Sequence, residues 1–108
     1  MSNETLRQKL NFVIYGDNEW RLYDFTVDGN GIPNIRLDVH GLKVREAKVF
    51  ILNVVNVIHG TMVLEVIHGF NHGTAIRDML AGENFSGRLT ERYCPGYNPG
   101  MTNMRIAA

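Results

Sequence analysis

With 108 residues, the chain has room for one domain with a real core and not for two ordinary ones. Its composition, 44% hydrophobic and 20% charged, is that of a globular protein, and no apolar run approaches the roughly 18 residues of a membrane span. A formal net charge of zero argues against a strongly basic nucleic-acid binder, and the single cysteine, Cys94, excludes an intramolecular disulfide and a cysteine-rich zinc site. The opening Met1-Ser2-Asn3-Glu4-Thr5 lacks a basic stretch followed by an apolar one, so a soluble cytoplasmic protein without a membrane partner is expected. The zero net charge hides an asymmetry. Residues 1–34 hold three Lys/Arg against five Asp/Glu, net −2, and residues 35–108 hold eight against six, net +2. The second segment is the better candidate for meeting phosphates.

The first third reads as strands. Asn11 to Tyr15 and Trp20 to Val27 are rich in aromatic and β-branched residues and are separated by Gly16-Asp17-Asn18-Glu19, which predicts an antiparallel N-terminal hairpin over residues 1–34. Gly29-Asn30-Gly31-Ile32-Pro33 marks a loop before a second unit, residues 35–108. In Ile35 to His40 apolar and polar residues alternate strictly, so this segment is a strand ending at Gly41. From Arg45 to His59, apolar side chains at Ala47, Phe50, Ile51, Val54, Val55 and Ile58 follow helical spacing, with Gly60 placed to stop the helix. Met62 to Ile67 is short and almost continuously apolar, as expected of a central strand covered on both faces. Thr74 to Leu80 reads as a short helix, and Arg88–Cys94 and Met101–Ala107 as two closing strands around Pro95-Gly96-Tyr97-Asn98-Pro99-Gly100.

Strand, helix, strand with a crossover of this length makes the two strands parallel. Their C-terminal ends then share one edge, where ligands of open α/β sheets usually bind. That edge gathers Asp38 and His40 from one strand and His68 from the next. Asp38 and His40 are two positions apart, on one face and roughly 6.6 Å apart along the strand, close enough to address one phosphate or one nucleophile. Gly69 and Gly73 let the backbone approach a ligand, and the start of the following helix offers N–H groups to an anion, with Arg77 as a charged fork.

The blocks Leu37-Asp38-Val39-His40-Gly41 and Val66-Ile67-His68-Gly69, joined by an amphipathic helix with Glu46-Ala47 near its start, resemble the Smr domain, the small MutS-related family. The closing Gly100-Met101-Thr102-Asn103-Met104-Arg105-Ile106 is similar to that family's Gly-x-Thr strand, so the resemblance runs from about Ile35 to Ile106. It implies a compact two-layer α/β sandwich with a mixed sheet, similar to the C-terminal domain of translation initiation factor 3. It also implies a role in binding or nicking RNA or DNA, with the Asp-x-His pair tied to endonuclease activity. The family's second block continues His-Gly-basic-Gly-x-Gly, whereas this chain has Phe70-Asn71-His72 before Gly73. The loop is built differently and lacks the basic contact.

These readings assign catalysis to Asp38, His40 and His68, and phosphate binding to Gly41, Gly69, Asn71, Gly73, Thr74 and Arg77, with no metal ligand set and no cofactor. His40 is the general base on a 2′-hydroxyl or water, Asp38 its orienting partner, and the loop amides with Arg77 the stabilisers of the phosphate. Hydrolysis assisted by a divalent metal, with Asp38 as oxygen ligand, stands as the variant mechanism. Two rival readings stay beside the endonuclease: a non-catalytic nucleic-acid-binding module, and a protein-interaction domain that self-associates through the aromatic hairpin. Trp20, Tyr15, Tyr23 and Phe25 of that hairpin read as core or subunit contact before base-stacking. Arg36, Arg88, Arg92 and Arg105 would form a backbone-tracking stripe if the sheet presents them together; each alone reads as solvated surface. His59 reads as a helix-end partner, His72 as a loop residue and Cys94 as a small apolar residue beside a turn.

Overall fold

A computed structural model describes residues 8–11, 20–58, 60–69, 74–82, 86–96 and 98–108. Residues 8–11 are helical (α1). Then follow β1 (Leu22–Val27), β2 (Pro33–Asp38), α2 (Val44–Val57), β3 (Met62–Ile67), α3 (Ala75–Gly82), β4 (Leu89–Tyr93) and β5 (Met101–Ile106). Among the described residues the strands form one mixed sheet in the order β1-β2-β3-β5-β4. β2 and β3 run parallel, as their helical crossover requires, and the other neighbours are antiparallel. No helix of the described residues is long and apolar enough to cross a membrane.

One face of the sheet carries Ile35 and Leu37 from β2, Met62, Leu64 and Val66 from β3, and Met104 and Ile106 from β5. The buried stripe of α2 (Ala47, Phe50, Ile51, Val54, Val55) and that of α3 (Ile76, Met79, Leu80) join the same cluster, as does Leu10 of α1. Period 3.6 in the helices and period 2 in the strands thus converge on one apolar layer. The opposite face is polar. Register aligns Asp24, Arg36, Glu65, Asn103 and Tyr93 across it. Arg36 is ion-paired with Glu65, and the Asn103 amide donates to the Tyr93 hydroxyl at 3.3 Å. β3 is therefore apolar on its core side and half-buried on the other.

β1 pairs antiparallel with β2, and the chain reverses between them at Asp28–Ile32, where Asp28 N–H donates to the Ile32 carbonyl (3.1 Å); the hairpin expected across Gly16–Glu19 lies outside the described residues. The Asp28 carboxylate accepts the Asn30 and Ile32 amides, and these bonds hold its pKa below the usual value. β1 is thus a strand of the main sheet. Asn11, expected to open a strand, is helical, and Phe12 to Tyr15 lie outside the described residues. Helix α2 ends at Val57 with Ile58 extended (φ −102°, ψ 117°) and its side chain buried, two residues before the glycine expected to stop it. The physical reason is Arg88. Its guanidinium donates to the carbonyls of Val55 (2.9 Å), Ile58 (2.6 Å) and Gly60 (2.8 Å), and to Ala107 (2.7 Å), satisfying the orphan acceptors of the helix end without a left-handed cap.

Candidate functional site

After Asp38 the parallel ladder continues for one more residue, Val39 N–H donating to Ile67 O at 2.8 Å. The chain then turns at Gly41 (φ +83°), closed by Leu42 N–H on Val39 O (3.2 Å). This conformation favours glycine, which gives the Asp-x-His-Gly order a backbone reason. The Asp38 Oδ1 atom accepts both the backbone N–H of His40 (3.0 Å) and its ring Nδ1–H (2.5 Å). Two bonds to one oxygen fix the orientation of the ring and place its proton on Nδ1. Nε2 is left as the acceptor of the neutral imidazole, on a side chain 59% exposed. An exposed acceptor backed by a carboxylate is the arrangement a general base needs.

Two residues just before β1 complete this corner. Arg21, largely buried, donates through Nη1 to the carbonyls of Asp38 (3.1 Å) and His40 (2.9 Å), tying the turn to the sheet. Its guanidinium also lies over the Trp20 ring, 4.3 Å from the centroid. Trp20, expected as core or subunit contact, is 51% exposed and meets the His40 ring edge-on, with centroids 5.7 Å apart and planes at 62°. Neither residue was assigned to the site from sequence. The signal that would have found them is the Asp28-Gly29-Asn30-Gly31 turn. Pairing β1 with β2 across it sets Leu22 opposite Leu37, so the residues just before Leu22 fall beside the end of β2.

The end of β3 adjoins this turn. Gly69 has φ +73°, and a methyl group built on it would lie 3.9 Å from Cβ of His40, so the two motif turns touch. The amides of His68 (2.8 Å) and Gly69 (3.0 Å) both donate to Gly100 O, at the entry to β5. The Gly69 N–H is therefore committed to the backbone. His68 is buried. Its Nδ1–H donates to Gly69 O (2.8 Å), and Nε2 accepts from the Thr102 hydroxyl (2.8 Å). Burial pushes its pKa below the ordinary histidine value, the bond to Gly69 opposes that, and the charge of Arg77 adds to it. His68 is a neutral ring with both nitrogens engaged, unlike His40.

At the start of α3, the Thr74 hydroxyl donates to Asp78 Oδ2 (2.9 Å), and Arg77 Nε lies 3.8 Å from Asp78 Oδ1. The anion that these two residues face is the helix's own carboxylate. Asn71 and Gly73, with Phe70 and His72, lie outside the described residues, as does His59. The arginine stripe is dispersed: Arg36 pairs with Glu65, Arg88 clamps the end of α2, and Arg92 donates to Leu80 O (3.2 Å). Among the described residues no three His, Cys, Asp or Glu side chains are grouped as ligands for a metal ion. Comparison with known proteins found no matching family model, no similar curated protein and no similar solved structure.

Proposed function

We propose that this chain is a nucleic-acid-acting domain of Smr type, with the sandwich expected of that family, and that it cleaves phosphodiester bonds with His40 as general base. The observation that carries the reading is the Asp38–His40 dyad, whose carboxylate holds Nδ1–H and leaves Nε2 exposed at the C-terminal edge of two parallel strands. Nε2 takes the proton of a 2′-hydroxyl or of water as that oxygen attacks phosphorus. Asp38 stabilises the imidazolium so formed, which then returns the proton to the leaving oxygen. His68 acts as a positioning residue, locking Gly69 and Thr102 behind the His40 turn. Binding without cleavage is the second reading, favoured by the zero net charge and by the commitment of the Gly69 amide to Gly100.

The test is cleavage of end-labelled single-stranded and structured RNA, and nicking of supercoiled DNA, by the parent, Asp38→Asn and His40→Ala, with and without chelator. Loss of roughly 10²–10⁴-fold in rate in both folded variants is expected. A 2′,3′-cyclic phosphate formed in chelator indicates metal-free base catalysis, and loss of activity in chelator the metal-assisted variant. Salt-sensitive binding by a parent that cuts nothing replaces this reading with the second.

A further inference from the structure

Beyond Thr102, on the side away from the His40 turn, a cavity of about 370 Å³ opens between α3 and the adjoining ends of β4 and β5. Arg77 and Ala81 line it from the helix, Arg92, Tyr93 and Cys94 from β4 and its exit, and Thr102 from β5. Its size suits one nucleotide-sized group. Two arginines on different elements, Arg77 of α3 and Arg92 of β4, both line it. Arg92 is held against α3 by its bond to Leu80 O, and the acidic neighbour of Arg77, Asp78, is itself mostly exposed. We infer that this cavity is a phosphate-binding subsite, in which Arg77 and Arg92 take the phosphate of one nucleotide and the methyl group of Ala81 meets its apolar part.

Guanidinium forks match phosphate oxygens in geometry as well as charge. The cavity shares Thr102 with His68, and Arg77 is close enough to disfavour a proton on that ring. It therefore belongs to the same sheet edge as the dyad. β4 lies three strand spacings from β2, roughly 14 Å. A strand laid along this edge would place one phosphate at His40 and a later one between the arginines. The inference extends the nucleic-acid reading but does not require that His40 cuts. The ligand chemistry is a phosphate group, carried by a nucleic-acid strand or by a free nucleotide.

Cys94, the chain's single cysteine, is exposed at this cavity and reports on it directly. Alkylation by anionic iodoacetate and by neutral iodoacetamide both require the thiolate, so the ratio of their rates isolates the local field. In the folded protein the ratio is expected to exceed that of the urea-unfolded chain by about threefold to tenfold, the size of one or two unit charges at close range in water. Arg77→Gln and Arg92→Gln should each lower it. Added ligand should protect Cys94 from iodoacetamide. Protection by a short single-stranded oligonucleotide at concentrations at least tenfold below those needed for a mononucleotide identifies a strand phosphate. Equal protection by the mononucleotide identifies a free nucleotide. A ratio equal to that of the unfolded chain, with no protection by oligonucleotide, mononucleotide or inorganic phosphate, overturns the subsite. Protection together with an uncut substrate overturns the nuclease reading alone.

Discussion

Replacing Thr102 by valine removes one hydroxyl from a buried pair and almost nothing else. Valine has the same shape, so no cavity opens, but Nε2 of His68 loses the donor that satisfies it. Both side chains are more than nine-tenths buried, and water cannot easily substitute. The lost hydrogen bond together with the orphaned acceptor should cost about 1–3 kcal/mol. For a domain of this size that is roughly 5–15 °C in Tm. Urea denaturation at pH 7.5, with unchanged m-values, measures it. The pH dependence adds a second reading of the same pair. The pKa of His68 is lowered in the fold by burial and by Arg77, so the unfolded chain takes up the proton first. Stability is then full above the ordinary histidine value of 6.5 and falls as pH drops from there through the depressed folded value. His68→Gln should flatten that fall. A Thr102→Val protein within about 0.5 kcal/mol of the parent, well below the cost of an orphaned buried acceptor, would refute the account of His68 as a neutral ring held at both nitrogens.

Arg88→Ala should destabilise the protein by about 2–3 kcal/mol, because the four carbonyls it serves include charge-assisted bonds at the end of α2. Faster amide exchange in the last turn of that helix, measured by hydrogen exchange, should accompany the loss. Trp20 is the chain's single tryptophan and lies against His40, so removing that ring in His40→Gln should change its emission. An unchanged emission spectrum in the folded variant would mean that the indole does not sense this histidine.

The parallel β2–α2–β3 unit was legible because each segment carries one unambiguous period: alternation in Ile35–His40, three-four spacing in Ala47–Val55, and a short apolar run in Met62–Ile67. Asp38, His40 and Gly69 could be brought together from that unit alone, since parallel strands must end on one edge. The partner of β1 was not legible in the same way. Two turn-forming stretches, Gly16–Glu19 and Asp28–Gly31, flank it, and local chemistry favours a hairpin across either. Pairing with β2 sets Leu22 opposite Leu37 and Phe25 opposite Ile35 over the core layer, which no local pattern reveals. Missing that pairing hid Trp20 and Arg21 from the site. The contrast between His40 and His68 was hidden for a related reason. Each precedes a glycine at a strand end, and only the third dimension sets Thr102 on one ring and solvent on the other.

The same argument limits what charge counts could say. The net +2 of residues 35–108 suggested a surface for phosphates, yet most of the arginines that the structure describes have intramolecular work. Arg21 ties down two carbonyls of the His40 turn, Arg88 closes the end of α2, and Arg36 holds Glu65 across the polar face. Arginine suits these tasks because one rigid fork can satisfy several acceptors at once. A chain that spends guanidinium groups on its own backbone can be neutral overall and still concentrate charge for a ligand, provided two forks meet where the backbone needs few donors. Arg77 and Arg92 both line the cavity beside Thr102, Arg92 with a bond to a helix carbonyl and Arg77 next to an exposed carboxylate. Position within the fold, more than the number of basic residues, therefore decides where this protein could hold a phosphate.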